Sequence, residues 1–198
     1  MNIPTLTLDT SCVISLLRLP GDSTTEDELH ALEQIKELGM NSQIELFVSE
    51  KSRTEAKINL DKSKNLDPGN WARAEKWIET LKILGDFKSL KGRWILGMSH
   101  LGVDTVLGSD VEAVAHKEMA QLFFGKFPNE LSEGNAFDLA ILFEHFTQGN
   151  YLFVTRDTRN KMLQKRAEIK KRWNIVVCTP IEALGILNAA LSNSSDAG

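Results

Sequence analysis

Short apolar segments alternate with longer amphipathic segments along the chain. Four extended segments are rich in apolar, β-branched or aromatic residues, which predicts strands at 5–9, 44–49, 150–155 and 174–179. Apolar residues at helical spacing predict helices at about 12–19, 26–39, 50–64, 71–84, 111–124, 135–148, 159–173 and 180–192. Strands that alternate with helices in this way indicate an α/β fold with a mostly parallel central sheet covered on both faces.

The middle of the chain departs from this alternation. Residues 85–110 contain many glycines and predict at most one short strand, near 94–97. We therefore expect one domain over residues 1–192 that carries a helical insertion at about 59–130. The polar residues 193–198 are expected to form a flexible tail.

The composition is that of an ordinary globular protein. With 198 residues, of which 42% are hydrophobic, the chain is long enough for one domain with a substantial core. No apolar run approaches the ~20 residues that span a bilayer, and the first residues lack the basic start of a signal peptide, so we expect a cytoplasmic protein. Cys12 and Cys178 lie in apolar segments without metal-ligand spacing, which predicts core packing for both.

Acidic residues recur where the predicted strands end. Asp9 ends the first strand, and Asp157 follows the strand at 150–155. Ligands bind outside the carboxyl ends of the strands in open parallel sheets. Asp138 lies near the start of a helix that leads into a strand, and Glu55 lies in the second turn of a helix that leaves the same edge. Four carboxylates are therefore expected to converge, with Glu50 as the alternative to Glu55.

Helix capping is the structural alternative for these acids. Asp is a favoured N-cap residue, so Asp9 or Asp157 could begin the following helix, and Asn135 with Asp138 resembles a capping arrangement. The apolar neighbours of Asp138 favour a functional role, because a buried carboxylate is costly unless it is paired or bound to a metal.

The chemistry of the acids selects the metal. Oxygen ligands without His or Cys favour Mg²⁺ or Mn²⁺ over Zn²⁺. Without such an ion, clustered carboxylates would repel one another and take up protons. Ions of this kind can activate a water in line with a phosphodiester and stabilise the departing oxygen. The acids therefore predict phosphodiester hydrolysis without a side-chain nucleophile.

Four segments resemble the PIN-domain nucleases, in the order that this family shows. They are "LDTSCVISLL", "FVSEKSRTEA", "NAFDLAILFEHF", and "YLFVTRD" followed by "NIVVCTPIEAL". The resemblance implies a Rossmann-like, three-layer α/β/α sandwich that uses Mg²⁺ or Mn²⁺ to cleave single-stranded RNA. It places Asp9, Glu55, Asp138 and Asp157 at the catalytic acidic positions, with Asp9, Asp138 and Asp157 as metal ligands. It also gives supporting hydrogen-bonding roles to Thr10, Ser11 and Thr155.

The expected function is therefore that of a metal-dependent endoribonuclease. Many small members of the family are VapC-type toxins that an antitoxin holds inactive, and this chain is longer because of its insertion. One alternative is a non-catalytic PIN-like module that binds RNA or protein, and another is the toxin of a toxin–antitoxin pair. Besides single-stranded RNA, an antitoxin-like protein and a second copy of the chain are candidate partners.

RNA contacts must come from local charge, because the net charge of −4 gives no overall nucleic-acid signature. Between Arg156 and Trp173 the chain carries eight basic residues against two acidic ones. A second basic group at 51–64 surrounds Glu55. A solvated basic face is the alternative for both groups. The residues predicted to contact phosphates are Arg156, Arg159, Lys165, Arg166, Lys170 and Arg172.

Overall fold

The chain forms two compact units in the computed structural model. The structure describes residues 3–17, 23–62, 68–83, 93–94, 106–107, 110–157 and 161–195. Unit 1 comprises residues 1–83 and 150–198, and unit 2 comprises residues 84–149. Unit 2 begins and ends later in the chain than the insertion predicted at about 59–130; the single domain with that insertion stays a prediction.

The strands of unit 1 form one parallel sheet. In chain order the described strands are β1 (Thr5–Leu8), β2 (Glu45–Val48), β3 (Lys82–Ile83), β4 (Arg93–Trp94), β5 (Val106–Leu107), β6 (Leu152–Val154) and β7 (Val176–Cys178). Five of them build the sheet of unit 1 in the order β3, β2, β1, β6, β7, and every neighbouring pair is parallel. The predicted α/β class with a parallel sheet is confirmed.

The central strands owe their position to their apolar residues. Leu6 and Leu8 of β1 pair in register with Leu152 and Val154 of β6, and all four side chains are fully buried. Burial of each such side chain stabilises the fold by about 1.5–3 kcal/mol. The four strands predicted from the sequence correspond to β1, β2, β6 and β7.

Helices connect the strands. They are α1 (Thr10–Leu16), α2 (Glu26–Met40), α3 (Glu50–Lys62), α4 (Pro68–Thr80), α5 (Asp110–Phe124), α6 (Glu133–Gln148), α7 (Lys161–Gln164), α8 (Arg166–Trp173) and α9 (Pro180–Ser195). The prediction of one helix over 159–173 is wrong, because the helix is interrupted at Lys165, which separates α7 from α8. The end of α9 overlaps the tail predicted at 193–198.

Side-chain caps fix where several helices begin. Asp9 occupies the N-cap position of α1. Thr25 and Glu28 form a reciprocal capping box at the start of α2. The hydroxyl of Ser49 accepts a hydrogen bond of 2.9 Å from the backbone N–H of Ser52 at the start of α3. These caps place the first turns of α1 and α3 at the carboxyl ends of β1 and β2.

Unit 2 has a core of its own. Helices α5 and α6 pack together, and Met119, Phe123, Leu139 and Leu142 are buried. Strands β4 and β5 form a separate parallel pair. The strand predicted near 94–97 overlaps β4, and residues 95–97 of that prediction lie outside the described residues. Among the described residues of both units, no helix has the length and hydropathy needed to cross a membrane.

Candidate functional site

Asp9 lies where β1 turns into α1, and three hydrogen bonds hold its carboxylate. Its Oδ1 accepts from the backbone N–H of Thr10 at 2.8 Å. Its Oδ2 accepts from the hydroxyls of Ser11 at 3.0 Å and Thr155 at 2.8 Å. The capping alternative is thus correct for Asp9. Two of the three donors are nevertheless hydroxyl groups, and one of them belongs to Thr155, which directly follows strand β6. N-capping of α1 therefore does not explain all three hydrogen bonds.

The surroundings of Asp9 oppose its ionisation. Burial is the largest influence and raises the pKa of the carboxyl above 3.8. Hydrogen bonds from Thr155, Ser11 and Thr10 lower the pKa, and the nearby charge of Asp157 raises it again. A cation beside Asp9 would favour the carboxylate form, because its opposite charge would replace the stabilisation by water that burial removes.

Asp157 lies on the adjacent strand connection, just beyond the end of β6. Its backbone N–H donates to the hydroxyl of Thr155 at 3.2 Å, and that hydroxyl donates to Asp9. The capping alternative for Asp157 stays a prediction, because residues 158–160, which separate Asp157 from α7, lie outside the described residues. Strands β1 and β6 are neighbours at the point where the strand order reverses. Asp9 and Asp157 therefore meet at the topological switch point, where open α/β sheets bind their ligands.

A chain of three hydroxyls connects this edge to α3. The hydroxyl oxygen of Thr10 lies 2.6 Å from that of Ser52, which lies 2.8 Å from that of Ser49. Ser52 is fully buried. The sequence patterns did not predict this contact of Ser49 and Ser52 with Thr10. The segment "VSEKS", with serines at the cap and three residues later, is the only signal that could have suggested it.

The position of Ser52 also bears on the choice between Glu50 and Glu55. Residues three apart share one side of a helix, whereas residues two apart do not. Glu55 is therefore on the side of α3 that holds Ser52, and it is half-buried. Glu50 is exposed. This placement favours Glu55 as the second acidic residue.

Asp138 belongs to α6, which lies in unit 2. Helix α6 begins at Glu133 with Ser132 at its N-cap position, so the proposed cap formed by Asn135 and Asp138 is wrong. Asp138 is half-buried, and it precedes the fully buried residues Leu139 and Leu142 of the same helix. Among the residues that the structure describes, no group of three or more His, Cys, Asp or Glu side chains is arranged to hold a metal. The four-carboxylate cluster stays a prediction.

Three of the arginines predicted to bind RNA have intramolecular carboxylate partners. The side chain of Arg156 is only 12% exposed, and its Nε lies 3.4 Å from Glu28. Arg166 pairs with Glu182 at 2.7 Å. Arg172 pairs with Glu168 one turn earlier in α8. Of the remaining candidates, Lys170 is exposed, Lys165 is half-buried and Arg159 lies outside the described residues.

Comparison with known proteins adds no further assignment. No protein-family model, curated protein or solved structure matches the chain. The similarity to PIN-domain nucleases therefore stays a prediction based on the sequence motifs.

Proposed function

We propose that the protein is a Mg²⁺- or Mn²⁺-dependent endoribonuclease that hydrolyses phosphodiester bonds of single-stranded RNA. The observation that carries the proposal is that Asp9 and Asp157 lie near each other at the topological switch point of the parallel sheet, where the charge of Asp157 raises the pKa of Asp9. Glu55, on α3 of the same unit, is proposed to add a third carboxylate to this site. The all-parallel sheet with helical connections is compatible with the three-layer, PIN-like architecture that we propose with this function.

Among the described residues, the hydrogen bonds to Asp9 leave one acceptor position of its carboxylate for a cation. A carboxylate has about four acceptor positions, and the donors described above occupy one on Oδ1 and two on Oδ2. The remaining position on Oδ1 suits a hard cation. Mg²⁺ is commonly held by one or two carboxylates, with water and substrate phosphates as its other ligands. Asp9 and Asp157 alone therefore suffice to begin such a site.

When bound, Mg²⁺ or Mn²⁺ would lower the pKa of a water and offset the charge of the reacting phosphate. The protein's own contribution is to orient the carboxylates. Ser11 and Thr155 hold the Oδ2 atom of Asp9, and Thr155 also holds the backbone of Asp157. Thr10 and Ser52 tie the start of α1 to the helix that carries Glu55.

A cleavage assay on fluorogenic single-stranded RNA tests the proposal. Activity is expected with Mg²⁺ or Mn²⁺ and should disappear with a chelator. Asp9→Asn and Asp157→Asn should each lower the rate by more than the 10–100-fold typical of disturbing a partner that only orients a ligand. Asp61→Asn, which removes an exposed charge from the far end of α3, is the matched control. Chelator-resistant cleavage, or normal rates in the two site variants, would contradict the proposal.

A non-catalytic RNA-binding module is the second candidate. It is favoured by the capping role of Asp9, which gives that residue a structural reason to be present. The same assay separates the two candidates, because the module would bind the RNA without cleaving it in any metal.

A further inference from the structure

Arg156 immediately precedes Asp157, and its side chain points into the interior of unit 1. Its Nε lies 3.4 Å from Oε2 of Glu28, and its guanidinium also contacts the hydroxyl of Ser15. The side chains of Arg156 and Glu28 are only 12% and 20% exposed. A guanidinium in this setting is poorly placed to reach a phosphate in solvent.

The two acceptors of Arg156 are themselves fixed. Glu28 belongs to the capping box of α2, and its Oε2 also accepts from the hydroxyl of Thr25 at 3.2 Å. Ser15 is buried in α1, donates to the carbonyl of Ser11 at 2.8 Å and accepts from Thr24 at 2.9 Å. The guanidinium therefore joins the last turn of α1 to the first turn of α2.

The backbone of Arg156 is held in the same direction. Its N–H donates to the hydroxyl of Ser11 at 3.2 Å, and Ser11 donates to Asp9. Both ends of Arg156 thus attach the segment after β6 to α1. The next residue in that segment is Asp157.

We propose that Arg156 is a positioning residue that, with Glu28 and Ser15, holds Asp157 beside Asp9, and that it does not contact RNA. The importance of Asp157 rests on the proposed function. Loss of either ionic partner would leave an uncompensated charge in a largely buried place. Lysine is a poor substitute, because Arg156 uses two different nitrogens of its planar group for two acceptors.

The experiment combines hydrogen exchange with metal binding. The variants are Glu28→Gln, Arg156→Gln and Arg156→Lys, and the control is Glu26→Gln, which removes an exposed charge from the same turn of α2. Exchange of the Asp157 amide is followed by NMR or mass spectrometry, and Mn²⁺ affinity is followed by electron paramagnetic resonance. We expect faster exchange and Mn²⁺ binding about 10–100-fold weaker in Glu28→Gln and Arg156→Gln, a smaller loss in Arg156→Lys, and no change in the control.

The outcomes distinguish this proposal from the proposed function. Unchanged exchange in both Glu28→Gln and Arg156→Gln would overturn the positioning role. A loss of RNA affinity in Arg156→Gln with normal exchange and normal Mn²⁺ binding would also overturn it, because Arg156 would then contact RNA. If the wild type binds no Mn²⁺ and cleaves no RNA, the proposed function fails, while the exchange rates still decide whether Arg156 and Glu28 hold the segment. If Arg156→Gln does not fold, the exchange rate in Glu28→Gln tests the positioning role.

Discussion

At the scale of single residues, Thr155 has the most direct influence on the state of Asp9. Its hydroxyl donates to Asp9 and accepts from the N–H of Asp157, so one side chain joins the two carboxylates. The hydrogen bond lowers the pKa of Asp9 against the larger effect of burial. Loss of the hydroxyl should therefore make Asp9 harder to ionise.

Thr155→Val keeps the shape of the side chain and removes the hydroxyl. Because a metal binds only the ionised carboxylate, the pH at which Mn²⁺ binding is half complete should move upward, and affinity below that pH should fall. Titration calorimetry at a series of pH values measures the shift. Thr155→Ser restores the donor and should behave like the wild type. A midpoint that Thr155→Val leaves in place would mean that the hydroxyl does not control the ionisation of Asp9.

At the scale of secondary-structure elements, two arginines of α8 form ion pairs with acidic residues of the same protein. Arg172 is held by Glu168, and Arg166 is held by Glu182 from α9. Each arginine must leave its carboxylate before it can meet a phosphate. Exposed ion pairs of this kind contribute little, typically below about 1 kcal/mol, so RNA could displace them.

Glu168→Gln should accordingly strengthen RNA binding, because it frees Arg172. It should also steepen the plot of log affinity against log salt by up to about 0.7, the value for one added single-strand contact. Fluorescence anisotropy across a salt series measures both quantities. Glu118→Gln, on α5 of unit 2, is the matched exposed control. Equal affinities and slopes for wild type and Glu168→Gln would indicate that Arg172 faces solvent or a protein partner.

The elements also show how far sequence patterns reach. Apolar periodicity predicted the four longer strands of the sheet, because their burial is encoded locally. It missed β3, a two-residue strand, and extended the preceding helix through Lys82 and Ile83. Pairing with β2 decides that segment, and no short-range pattern records such a contact. The positions of Asp9 and Asp157 were predictable from strand ends, whereas the partners of Arg156 depend on tertiary contacts with α1 and α2.

At the scale of the whole molecule, the two units place their ionisable groups differently. In unit 1 the carboxylate of Asp9 accepts three hydrogen bonds. Unit 2 buries ionisable side chains that have fewer hydrogen-bond partners. The Nε2 atom of His116 and the Oε2 atom of Glu144 are buried and, within the described part of the chain, have no hydrogen-bond partner. His116 lies instead against the ring of Phe143 at 4.9 Å. The apolar pattern of α5 and α6 predicted that these helices pack in a core, but it did not predict that they bury polar atoms without hydrogen-bond partners among the described residues.

Burial makes the stability of unit 2 depend on pH in two opposite ways. It lowers the pKa of His116 to about 4 and that of His145 to about 3, so these histidines favour unfolding as pH falls below 6.5. It raises the pKa of Glu144 from 4.5 to about 7. In the folded state the Glu144 carboxyl therefore retains a proton that the unfolded chain releases, and its contribution to stability declines as pH rises from 4.5 through 7.

Glu144→Met should remove the second effect and keep the first. We expect the variant to be more stable than the wild type by about 1–3 kcal/mol at pH 8, since each pKa unit corresponds to about 1.4 kcal/mol. The advantage should fall by more than half at pH 5, because this pH is close to the ordinary carboxyl pKa of 4.5, where ionisation of Glu144 in the unfolded chain gains little free energy. Differential scanning calorimetry at the two pH values measures the difference, with Glu118→Met as the exposed control on α5. A variant that is less stable at both pH values would show that the Glu144 carboxylate is compensated in the folded protein.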